Sequence, residues 1–88
     1  MTSTNYKYNP TDFNDVLGLT EDMSNFYETY EKYLISNPKD RSIWFQLRRY
    51  NDDLVYTIKH RVIEDTLSPD TAYDMYEYFG GLLNDWFW

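Results

Sequence analysis

Few residues in this 88-residue chain have the types and spacing that covalent or proton-transfer chemistry needs. Cysteine is absent and His60 is the single histidine, so thiolate metal sites and His-pair motifs are excluded. Five serines (Ser3, Ser24, Ser36, Ser42 and Ser68) stand outside any G-x-S-x-G setting. The glycines, Gly18, Gly80 and Gly81, precede no GK[ST] and form no phosphate loop. Adjacent carboxylates such as Asp52-Asp53 and Glu64-Asp65 point ~100° apart on a helix, which suits a solvated face better than an acid–base pair. No D-x-D-x-D-G loop offers a calcium site. The expectation is a protein that is not an enzyme and carries no metal or cofactor.

What the chain does have is a row of acids. On a helix, Asp70, Asp74, Glu77 and Asp85 fall within an arc of ~80°, at ~100° per residue. Carboxylates four residues apart lie ~6 Å from one another, a spacing comparable to that of phosphates along a nucleic-acid strand. Residues 62–88 contain no Lys or Arg to offset them. Glu21, Glu28 and Glu31 form a second acidic set, and Glu64 and Asp65 extend the first. Tyr73 and Tyr78 fall outside the apolar arc of the last segment, beside these acids, and Trp88 lies at the chain end, where a ring is hard to bury completely. Rings with a polar tip next to carboxylates suit a protein-binding surface. The competing account is a solvated helix face that keeps the protein soluble, with the rings filling a core short of aliphatic residues.

The charge is unevenly spread. Net charge is −7 from eight bases and fifteen acids. Lys39, Arg41, Arg48, Arg49, Lys59 and Arg61 all sit in residues 39–61, while the flanking segments are acidic. Of these, Arg48, Arg49, Lys59 and Arg61 are expected to pair with acids of neighbouring helices; a separate small patch for an acidic partner is the other reading. A net-acidic domain argues against direct nucleic-acid binding and against anionic lipid surfaces.

The elements that must position these residues are helical. Met23, Phe26, Tyr27, Tyr30, Tyr33 and Leu34 recur at spacings of three and four, predicting a helix over about 20–36 with Thr20 as its cap. Asn37-Pro38 predicts the start of a long helix over about 38–65, turned inward through Ile43, Trp44, Leu47, Tyr50, Leu54, Val55, Ile58 and Val62. Asn51-Asp52-Asp53 is its weakest stretch. Ser68-Pro69 starts a third helix over about 69–86, with Ala72, Met75, Tyr76, Phe79, Leu83 and Trp86 inward and a kink conceivable at Gly80-Gly81. Before these, Pro10 to Leu19 reads as a short helical turn with Phe13, Val16 and Leu17 inward and Gly18 as its stop. Residues 1–9 read as a flexible arm, and 10–88 as one helical domain. The fold class is all-α, a small bundle of three main helices.

Without disulfides, so small a chain must be held by packing, and its 10 Tyr and 20% aromatic content supply ring surface for that. No apolar run approaches the ~18 residues of a membrane span. The N-terminus lacks the apolar core of a secretory signal, so a cytoplasmic location is expected. In size, acidity, lack of cysteine and richness in Tyr and Asn, the chain resembles the anti-CRISPR and anti-restriction proteins of bacteriophages and mobile elements. It shares no motif with them. The resemblance implies a bacterial cytoplasm and a nucleic-acid-binding target. The leading expectation is therefore a DNA-mimic-like inhibitor whose acidic, aromatic face blocks the basic groove of a nucleic-acid-binding protein. The alternative is a small adaptor that oligomerises, for instance as a homodimer, through its aromatic C-terminus.

Overall fold

The computed structural model describes residues 6–36 and 40–87, with the side chains of residues 84–87 excepted. A 3-10 turn, Pro10–Phe13, leads into three helices: α1 (Leu19–Ile35), α2 (Arg41–Ile63) and α3 (Pro69–Phe87). Among the described residues there is no strand, and no helix is long and apolar enough to cross a membrane.

Each helix forms where its apolar spacing and its caps agree. α1 starts one residue earlier than expected, at Leu19, because Gly18 takes the left-handed conformation (φ 79°) that joins the turn to the helix. Thr20 is consequently inside α1. Its hydroxyl donates back to the Pro10 carbonyl (2.8 Å) and to Asn14 Oδ1 (3.1 Å), tying the turn to the helix. Leu17, expected inward, is 76% exposed, while Phe13 and Val16 do pack against the core.

α2 begins at Arg41, capped by Asp40, whose carboxylate accepts the Ser42 N–H at 2.9 Å. The expected cap at Asn37-Pro38 lies outside the described residues. The helix runs unbroken through Asn51-Asp52-Asp53. It stops because Asp65 turns left-handed (φ 68°), so that the Thr66 and Asp65 amides cap the Arg61 and Val62 carbonyls. α3 opens on the Ser68 cap, whose Oγ accepts the Asp70 and Thr71 amides, and passes through Gly80-Gly81 without a break.

Contacts along the helices give the topology. Thr57, late in α2, donates to Asp22, early in α1, so these two helices are antiparallel. Trp44, early in α2, donates through Nε1 to the Leu83 carbonyl, late in α3, so α2 and α3 are antiparallel as well. The core is one cluster: Leu19, Met23, Phe26, Tyr27 and Tyr30 from α1, Leu47, Leu54 and Ile58 from α2, Leu67 from the connection, and Ala72, Met75, Phe79 and Leu83 from α3. Trp44, Tyr50 and Val62 only cover its edge. Phe79 is the hinge between α1 and α3, meeting Phe26 edge-on at 5.2 Å and Tyr27 at 5.6 Å.

Candidate protein-binding surface

Residues 6–8 of the expected arm are built into the bundle. The Tyr6 ring stacks on Tyr27 with centroids 3.8 Å apart, and its hydroxyl donates to Glu31 at 2.9 Å. The Tyr8 ring meets Tyr78 edge-on at 5.6 Å and lies 6.3 Å from Phe79. The Tyr27 hydroxyl donates to the Tyr8 carbonyl at 2.5 Å. Lys7 pairs with Asp74 at 2.7 Å, and its amide donates to the Tyr78 hydroxyl. The Tyr8 hydroxyl also donates to Asp74. The segment thus straps α1 to α3 across the Phe79 hinge. Tyr6-Lys7-Tyr8, two rings about a base in a net-acidic N-terminal segment, is the sequence signal of this role.

The strap has an electrostatic consequence. Tyr6 and Lys7 are adjacent in the chain, yet one reaches Glu31 of α1 and the other Asp74 of α3. The strap thereby links an acid of α1 to an acid of α3, a connection that no single-helix projection contains. Lys7 and Tyr8 hold the Asp74 carboxyl below the usual carboxylate range. Burial, helped by the hydrogen bond to Asp74 and its charge, pushes the Tyr8 phenol up to about 12. Burial drives the Tyr27 phenol up as well.

The stripe on α3 is only partly free. Asp70 and Glu77 are exposed, and Glu77 makes no hydrogen bond or ion pair with a described residue. Tyr73 is 66% exposed beside them. Asp74, expected to be unneutralised, is paired to Lys7, the base that α3 itself lacks. Tyr78, expected to stand outside the apolar packing, is half-buried under the strap. The side chains of Asp85 and Trp88 lie outside the described residues, as do those of Trp86 and Phe87 at the C-terminus.

Elsewhere the acids have varied roles. Glu21 and Glu28 are exposed on α1, and Glu31 is held by Tyr6. Glu64 is spent on Arg61, three residues back in the same chain, at 3.1 Å. Asp65 is the left-handed terminator of α2. Asp22, which faces α2, has its carboxyl pushed up by burial, with Asp53 and Glu21 adding to the rise and the Thr57 hydrogen bond opposing it.

The bases correct an expectation. Arg61 pairs with Glu64 just past its own helix, not with a neighbouring one, whereas Arg48, Arg49 and Lys59, like Arg41, make no ion pair with a described residue. Those four are exposed on the side of α2 that faces away from Leu47, Leu54 and Ile58. Phe45 and Tyr56 share that side, at 52% and 65% exposure. An open hollow of ≈ 390 Å³ beside it is lined by Gln46, Arg49, Tyr50 and Asp53. Among the described residues no group of three or more His, Asp or Glu side chains could hold a metal ion.

Compared with protein-family models, curated proteins and solved structures, the chain matches none. The functional reading therefore rests on the surface itself.

Proposed function

We propose that this protein acts by binding another protein, presenting the acidic side of α1 and α3 to the basic groove of a nucleic-acid-binding target and so excluding the nucleic acid. The observation that carries this reading is charge segregation. The strap ties Glu31 of α1 and Asp74 of α3 to one short segment, Asp70 and Glu77 are exposed along α3, and the free bases stand on the outer face of α2. Clustered like charges cost a few tenths of a kcal/mol per pair, a cost that interspersed lysines would remove. A net-negative face is drawn rapidly to a positive groove, and the attraction weakens with salt. Exposed Tyr73 supplies an apolar anchor within that face. The bacterial cytoplasm, phage origin and DNA-mimic action belong to this proposal.

The test is affinity capture by the full chain from a bacterial lysate, released by a salt gradient. The expected catch is a nucleic-acid-binding protein that DNA or RNA displaces. Asp70→Lys/Glu77→Lys is expected to abolish capture while leaving the fold intact, because neither side chain is buried. This pair avoids Asp74, which anchors the strap. A partner that binds the double variant as well as the wild type would sink the proposal.

A further inference from the structure

The acidic-face reading leaves the outer face of α2 unused. Phe45, Tyr56 and Ile63 are 52%, 65% and 79% exposed. At ~100° per residue they lie within ~20° of one another, forming a line on the side opposite the core. Arg41, Arg48, Arg49 and Lys59 flank the line, against Asp52 and Asp53, so the face is net positive on a chain of net −7. Apolar rings amid free cations call for an acidic occupant that also brings apolar surface.

We infer that this face docks the acidic outer face of α3 in a second copy of the chain. The complement is on the same molecule. α3 presents Asp70 and Glu77 with the exposed Tyr73 ring beside them. Gly80 and Gly81 continue that side of α3, and an added Cβ at either would meet nothing within 4 Å. The α3 backbone is therefore open to close approach from outside. An α2–α2 pairing would set Arg48, Arg49 and Lys59 against their own copies; the α2–α3 pairing sets them against carboxylates. The net −7 of each copy opposes any contact at very low salt. At about 0.1 M salt the Debye length is ~10 Å, so the local complement outweighs the distant repulsion. Unlike faces make a heterologous contact, so assembly grows with concentration until a ring closes. Self-association and target capture then compete for α3.

The experiment is sedimentation velocity on the full chain from micromolar to sub-millimolar concentration at about 0.1 M and about 0.5 M salt, where screening is stronger. Mass is expected to rise with concentration at the lower salt and to rise measurably less at the higher, because screening weakens the charge complement. Arg48→Glu/Arg49→Glu/Lys59→Glu and Asp70→Lys/Glu77→Lys should each be monomeric, and an equimolar mixture should restore a complex. Tyr56→Ser changes no charge and should weaken association as well. All these side chains are exposed, and circular dichroism checks the fold of each variant. A wild type that stays monomeric throughout overturns the inference, as does a variant that associates normally or a mixture that fails to pair. An acidic protein other than this chain as the true occupant gives the first of those results. The triple α2 variant keeps α3 intact and should still capture the target, so this inference and the proposed function fail separately.

Discussion

The Tyr8 hydroxyl donates a hydrogen bond to the carboxylate of Asp74, 66 positions further along the chain. Lys7 pairs with the same carboxylate, and the Tyr27 hydroxyl holds the Tyr8 carbonyl. One short segment thereby fastens the first and last helices. Tyr8→Phe is expected to cost about 0.5–1.5 kcal/mol, the net worth of one intramolecular hydrogen bond. Lys7→Ala should cost less than Tyr8→Phe, since both partners of that ion pair are substantially exposed and screened by solvent. Urea unfolding of the two variants measures both, and equal losses would contradict the ranking.

The strap makes stability depend on pH at both ends. The Asp74 carboxyl is held low in the folded protein, so its contribution is present above the unfolded carboxylate pKa of ~3.9 and is lost as pH falls through the lower folded value. The Tyr8 phenol is pushed up, so its contribution is present below ~10 and is lost as pH rises through about 12. Spectrophotometric titration of tyrosinate should show Tyr8 ionising late, and Tyr8→Phe should remove that step. A Tyr8 that titrates near 10 would mean that the phenol is not held.

Asp22 works in the opposite sense. Burial raises its folded pKa, so the stability it confers when protonated is present below ~3.9 and is lost as pH rises through the raised value. Asp22→Asn keeps an acceptor for the Thr57 hydroxyl without the charge. The stability difference between Asn and Asp should move in favour of Asn as pH rises from about 3.5 to about 6.5, across that window. Thermal unfolding at the two pH values checks the sign.

The glycines divide by backbone. Gly80 and Gly81 lie inside α3 with no atom within 4 Å of an added Cβ, so Gly80→Ala and Gly81→Ala should each stabilise by roughly 0.5–1 kcal/mol. The same changes are expected to weaken self-association if α3 docks through its bare backbone. Gly18→Ala should destabilise by roughly 1–2 kcal/mol despite adequate space, because φ is 79°. Chemical denaturation of the three variants tests the contrast.

Rings separate in the same way. Phe79→Ala empties the hinge between α1 and α3 and should cost about 3–5 kcal/mol, a large share of the stability of so small a domain. Phe45→Ser, on the outer face of α2, should stay within about 0.5 kcal/mol. A large loss at Phe45 would show that this ring supports the fold rather than an interface.

The three helices and most of the core were legible in the sequence by itself. Met23, Phe26, Leu47, Leu54, Met75 and Phe79 recur at spacings of three and four, and that period is a property of the local chain, independent of what packs on it. The Ser68 cap was legible for the same reason: its hydroxyl serves amides two and three residues away. The start of α1 was not, because Thr20 has the chemistry of a cap but its hydroxyl is drawn to Pro10 and Asn14, leaving Gly18 to turn the chain. The fate of the charges was decided only by the tertiary structure. Spacing placed Asp74 on an acidic stripe, but a Lys7 far away in sequence meets it because α1 and α3 pack about Phe79. Likewise, helical spacing could not show that Arg48, Arg49 and Lys59 find no acidic partner among the described residues. Helical period is written every few residues, whereas the partner of a charge depends on how whole helices stack.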